Sequence, residues 1–158
     1  MTSAPSAPPR VPPRWFVRTA WAVHRAVYRI TGGRKGLSAP EPGSYGMLRL
    51  RTTGRRSGAE RAAILAYYEE GERIVLIAMN GWAEGHPAWW LNLQAEPHAV
   101  VDLPGGEERA VVAREALGEE RTRLWDGFAA YTRGPGLGEH AARRETPTPV
   151  VVLEPAAG

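Results

Sequence analysis

Residues 51–61 read Arg-Thr-Thr-Gly-Arg-Arg-Ser-Gly-Ala-Glu-Arg and follow directly on the alternating run Met47-Leu48-Arg49-Leu50. Alternation of apolar and polar residues marks a half-buried strand. The glycines at 54 and 58 can take backbone conformations that side chains forbid, so the loop can fold tightly and turn its N–H groups inward. Arg55, Arg56 and Arg61 add fixed positive charge with forked donors that match phosphate or carboxylate oxygens. Thr52, Thr53 and Ser57 add hydroxyls. A strand leading into such a loop is suited to an anionic ligand; the competing reading is a solvated hairpin turn that is merely basic.

Working outward, Tyr45–Thr52, Ala62–Tyr68 and Arg73–Met79 read as three strands, with Glu69-Glu70-Gly71-Glu72 as the turn between the last two. The basic loop thus joins neighbouring strands at the mouth of a sheet or barrel. Asn80-Gly81 signals a turn, and Pro87 suits the first turn of a short helix running to about Ala95. Trp82, Trp89 and Trp90 are half of the chain's six tryptophans. An indole can cover a flat ring system, although most tryptophans serve only packing. Asn92 lies one helical turn after Trp89, shares its face and can donate to the same ligand. Ala99–Leu103 and Glu108–Arg114 form a further hairpin around Pro104-Gly105-Gly106. Glu119–Arg133 is an amphipathic helix, Gly134–Gly138 a flexible loop, and Val150–Leu153 a last strand. Six or so strands in hairpins, with few and late helices, make a small barrel or open sheet of α+β class.

Upstream, residues 1–13 are Pro, Ser and Ala with almost nothing to bury, and read as a disordered tail. Residues 14–44 hold a basic amphipathic helix, to about Thr31, and a Gly/Pro-rich linker; residues 45–155 form the main domain. On the helix, Phe16, Ala20, Val23, Val27 and Ile30 share one face, with Arg14, Arg18, Arg25 and Arg29 opposite. Such a helix suits an anionic membrane surface or its own domain. The chain has no cysteine, which removes thiolate metal sites and cysteine nucleophiles. Its four histidines lack i, i+4 spacing, so no metal site is expected. No run reaches the length of a membrane span, and a cytoplasmic location, peripheral at the membrane through residues 14–31, is expected. A sequence pI near 9.7 suggests anionic partners, but no nucleic-acid-binding signature is present.

The order of LRLRTTGRRSGxxR (48–61), HPAWWLNLQAEP (86–97) and a terminal TPVVVLEP (148–155) resembles the deazaflavin-dependent nitroreductase family of actinobacteria. The resemblance implies a split β-barrel of the FMN-binding kind, with about six mostly antiparallel strands, an N-terminal helix and two later helices. It implies coenzyme F-420 (8-hydroxy-5-deazaflavin) as cofactor, with FMN as the alternative. The coenzyme's phosphate and anionic tail would sit at Thr53, Gly54, Arg55, Arg56, Ser57 and Arg61. Its ring would lie along Ala63, Ile64 and Leu65 and near Trp89 and Asn92. The implied reaction is hydride transfer to a small apolar acceptor: a quinone, an enone, a nitro compound or a biosynthetic intermediate. The absence of a triad or paired carboxylates agrees with a scaffold that positions a cofactor's hydride. Tyr131 is the candidate catalytic hydroxyl, and a homodimer is the expected assembly. Where the family often reads ASKGG, this chain has Ala78-Met79-Asn80-Gly81-Trp82. That departure leaves open an alternative in which the protein binds a deazaflavin, FMN or another anionic ring without turnover.

Overall fold

The computed structural model describes residues 36–132 and 137–157. The expected tail at 1–13, the basic helix of residues 14–31 and the linker's first residues lie outside the described part.

Six strands close into one antiparallel barrel: β1 (Gly46–Thr53), β2 (Glu60–Glu70), β3 (Arg73–Ile77), β4 (His98–Asp102), β5 (Glu108–Glu115) and β6 (Val150–Pro155). Their order around the barrel is β1-β2-β3-β6-β5-β4, with β4 pairing back onto β1. Three helices are described: α1 (Ala88–Ala95), α2 (Gly118–Ala129) and α3 (Leu137–Ala141). Because every neighbouring pair is antiparallel, β1, β3 and β5 run one way and β2, β4 and β6 the other. The ends of the first set and the starts of the second therefore share one rim. That upper rim carries the arginine loop 54–59, residues 78–97 with α1, and the long connection that bears α2 and α3. At the lower rim the strands are joined by the short turns at Gly71 and Pro104–Gly106.

Alternation sorts the side chains. Leu48 and Leu50 point into the lumen, where they meet Ile74, Leu76, Val101, Val111, Val151 and Leu153. Trp89, Trp90 and Leu93 of α1 join this core and close the lumen at the upper rim. The outward arginines of β1 are tied down. The Arg51 guanidinium donates to Asp102 at 2.9 Å and to Glu108 at 2.8 Å, and Arg49 lies 3.5 Å from Asp102. These pairs cross from β1 to β4 and β5 and fasten the seam that closes the barrel.

A second core lies outside the barrel, where α2 covers Tyr68, Val75, Val150 and Val152 with Leu124 and Phe128. The helix runs down from the upper rim, since the backbone N–H of Gly43, just before β1, donates to the Ala130 carbonyl at 3.1 Å. The Tyr68 hydroxyl donates to the Leu124 carbonyl at 2.8 Å, and burial pushes its pKa up to about 12.

Several boundaries depart from the sequence reading. The helix expected to reach Arg133 ends at Ala129, because residues 130–132 tighten into i→i+3 bonds. Leu137 and Gly138, expected in a flexible loop, open α3, and the Leu137 side chain is buried in the outer core. β3 stops at Ile77 because Met79 turns into the right-handed helical region. The end of the expected linker is ordered against the barrel, with Ser38 pairing Met47 and Glu41 pairing Ser44.

Gly127 of α2 lies directly against the Tyr68 side chain of β2. A Cβ there would lie 2.7 Å from the Tyr68 hydroxyl and 3.2 Å from its ring carbon. Alanine in an exposed helix interior usually gains about 1 kcal/mol over glycine. Gly127→Ala is expected to lose about 1–2 kcal/mol instead, as overpacking displaces the buried tyrosine. A urea midpoint equal to or above that of the parent would contradict this packing.

Candidate functional site

The arginine loop joins β1 to β2 and is built from inside. Gly54 N–H donates to the Ala59 carbonyl at 2.7 Å, and Gly58 N–H to the Gly54 carbonyl at 2.8 Å. Gly58 has a φ of +71°, which a side chain would strain. The Ser57 hydroxyl accepts from the Ala59 N–H at 3.2 Å and from the Arg61 guanidinium at 3.5 Å.

Asn92 fastens this loop to α1. Its Oδ1 accepts from the Arg55 backbone N–H at 3.2 Å and from Arg55 Nη1 at 3.3 Å, while its Nδ2 donates to Thr52 Oγ1 at 3.3 Å. Asn92 and Thr52 are both buried, at 4% and 3% exposure. An amide that satisfies groups on two elements at once fixes their relative position, because breaking it leaves buried donors unmet.

The loop's charges stand apart from those of the rest of the surface. Arg49, Arg51, Arg73, Arg109, Arg114 and Arg123 each reach a carboxylate. Arg55, Arg56 and Arg61 are exposed and form no ion pair among the described residues. Three guanidinium groups therefore share one rim without an ion pair among the described residues. A dianionic group or several carboxylates would complete such a patch.

Beside the loop, β2 offers a ledge. Ala63 and Leu65 lie opposite Leu50 and Leu48 and so face the lumen side. Both remain only partly buried, although their partners are fully buried. Together with Trp89, which is packed edge to face on Trp90 at 6.5 Å, they make an apolar surface that reaches the rim just below the arginines.

Thr53, Gly54, Arg55, Arg56, Ser57, Arg61, Ala63, Leu65, Trp89 and Asn92 thus gather at the upper rim. Two other sequence candidates do not join them. Ile64 alternates with Ala63 and Leu65 and points its side chain to the outer face. Tyr131, the candidate catalytic hydroxyl, follows the lower end of α2 and stacks on Tyr68 in the outer core, 5.1 Å between ring centres. The reason is the direction of α2, which carries its C-terminus away from the upper rim. Asn92, read in sequence as a ligand donor, has its amide engaged in holding the loop. Thr52 was not singled out as that amide's partner, because nothing in its local sequence marks it; only the fold brings residues 52 and 92 together. Among the described residues no group of three His, Cys, Asp or Glu stands ready for a metal ion.

The chain's sequence and fold match those of known proteins. The family model of F420H(2)-dependent quinone reductases matches residues 20–155. The chain is 30% identical over 146 residues to an F420H(2)-dependent quinone reductase of Mycobacterium tuberculosis, covering 89% of this chain and 95% of that relative. Among solved structures, an F420-H2 dependent reductase (FDR-A) is 31% identical with a TM-score of 0.59, covering 68% of this chain and 93% of that one. A domain-swapped dimer is 28% identical with a TM-score of 0.62, covering 87% and 99%. With a family match over most of its length and a barrel of the matching kind, the chain belongs to the F420H(2)-dependent quinone reductase family: it is a deazaflavin-dependent oxidoreductase whose cofactor is coenzyme F-420.

Proposed function

We propose that this protein reduces a small apolar acceptor, a quinone in the first instance and enones or nitro compounds by the same chemistry, at the upper rim of the barrel. The observation that carries the reading is the trio Arg55, Arg56 and Arg61, without an ion-pair partner among the described residues, set beside the half-exposed apolar ledge of Ala63 and Leu65. Charge at one end and a flat apolar bed at the other match a cofactor with an anionic tail and a planar ring.

In this reading the three guanidinium groups, the Ser57 hydroxyl and the backbone of the Gly54–Gly58 turn hold the phosphate and carboxylates of the tail. Thr53 adds a hydroxyl at the strand end. Ala63 and Leu65 support the ring from below, and Trp89 borders it. Reduced coenzyme F-420, when bound, supplies a hydride. The chain's own part is to fix the ring's position, align the acceptor over it and exclude water, which is where the gain over reaction in solution arises. No side-chain acid or base is required for the hydride itself. The family's name points to quinones, and the apolar ledge and surrounding tryptophans suit a flat acceptor without charge.

Two variants test the assignment. Arg55→Ala with Arg56→Ala removes two charge-assisted contacts, so affinity for oxidised coenzyme F-420 is expected to fall about 100-fold, measured by calorimetric titration; an unchanged Kd would sink the tail site. Asn92→Ala leaves the Arg55 N–H and the Thr52 hydroxyl unmet, with an expected loss of about 1–3 kcal/mol of stability. Coenzyme affinity should fall with it, as the loop loses its anchor. Denaturation and titration of the same sample check both, and a variant that keeps parental stability and affinity would remove Asn92 from the account.

A further inference from the structure

α1 carries Trp89 and Asn92 to the candidate site, yet little in its own sequence fixes where it lies. It is eight residues long, its N-cap Pro87 makes no side-chain cap, and no acidic residue stands in its first turn. A helix of that length is marginal by itself. Burial of Trp89, Trp90 and Leu93 holds it down on the lumen, but apolar burial is non-directional. Its place along the rim comes from hydrogen bonds, of which Asn92 supplies the middle set. At the C-terminal end the Ala113 N–H of β5 donates to the Pro97 carbonyl at 2.9 Å.

The N-terminal end is held by the segment before β6. Gly85, just upstream of the cap, has both backbone groups engaged there. Its N–H donates to Thr146 Oγ1 at 3.1 Å, and its carbonyl accepts from Arg144 Nη2 at 2.6 Å. The adjacent Glu84 carboxylate accepts from the Thr146 hydroxyl at 2.7 Å, the Thr146 N–H at 3.0 Å and the Glu145 N–H at 2.9 Å. Asn80 Nδ2 donates to the carbonyls of Glu84 and Gly85 at 3.0 and 3.3 Å and closes the turn on itself. From Gly85 the chain enters α1 through His86 and Pro87, whose carbonyl accepts from the Trp90 and Leu91 N–H groups at 3.1 and 3.2 Å.

Arg144 is the unusual member of this clamp. It is buried, at 8% exposure, and its hydrogen bonds among the described residues go to neutral oxygens alone. Nη1 donates to buried Thr148 Oγ1 at 2.7 Å, and Nε is buried without a partner. A buried charge held in this way costs a fold stability. What the guanidinium does that a neutral side chain would not is to span two elements with one planar fork. One arm rests on Thr148, at the approach to β6, and the other on Gly85, at the approach to α1.

We infer that Arg144 is a positioning residue for the coenzyme site: by gripping the Gly85 carbonyl it sets where α1 begins, and so where Asn92 meets the arginine loop. This rests on the reading of that loop as the site of the coenzyme's tail. The test is the Kd of the full chain for oxidised coenzyme F-420, measured by calorimetry where urea denaturation finds each variant folded. Arg144→Met keeps a long side chain and removes its donors, and its Kd is expected to rise about tenfold. Arg144→Lys, which keeps a donor for the Gly85 carbonyl, should recover part of that loss. Gly127→Ala, a packing change in the outer core, controls for lost stability alone and should keep the parental Kd. Because Arg144 acts through α1, its effect should shrink to about twofold once Asn92 is already alanine. If Arg144→Met does not fold, Thr146→Val removes the hydroxyl shared by Glu84 and Gly85 and takes its place with the same expectations. A folded variant whose Kd stays within about twofold of the parent, an equal rise in Gly127→Ala, or a full effect on top of Asn92→Ala overturns the inference while the tail site stands. A parent that does not bind the coenzyme, or binding unmoved by Arg55→Ala with Arg56→Ala, overturns the tail-site reading and this inference with it.

Discussion

Antiparallel closure is the constraint on which the rest of this structure depends. Once β4 pairs back onto β1, every second connection must emerge at the same rim. The chain places its short turns on one side and its basic loop and all three described helices on the connections of the other. The arginine loop and the tryptophan helix are far apart in sequence and adjacent only for this reason. The Arg51–Asp102–Glu108 pairs matter here because they cross the β1–β4 seam, without which the rim would not exist.

Electrostatics divides the arginines into two populations. Arg49, Arg51, Arg73, Arg109 and Arg114 on the strands are matched by carboxylates, where partial burial makes a paired charge worth more than a fully solvated one, whereas Arg61 at the start of β2 goes with the loop arginines. Those on the loop are kept together at the rim with a polar spine beneath them. The buried Asn92–Thr52 contact holds the loop in place beneath them.

Much of the fold was legible because its signals are local. The alternation Leu48-Arg49-Leu50-Arg51 gave β1 and its face, the Arg55-Arg56 turn gave the hairpin, and Pro87 gave the start of α1 almost to the residue. The rest of the arrangement is tertiary. Helical periodicity cannot tell which way a helix runs along a barrel, and α2 carries Tyr131 away from the upper rim. Asn92 looked like a ligand donor because its partner, forty residues earlier, is invisible to spacing.

The central claim is that the barrel's rim recognises a planar ring through one part and an anionic tail through another. The measurement that tests it most directly is a parallel titration of the full chain with oxidised coenzyme F-420 and with the same deazaflavin ring and sugar alcohol lacking the phosphate and glutamates. Tryptophan fluorescence reports ring docking beside Trp89 in both cases. The account predicts quenching by both compounds, with the complete coenzyme binding about 100-fold tighter and the difference shrinking as salt is raised. Equal affinities at low salt, or quenching by neither, would contradict it.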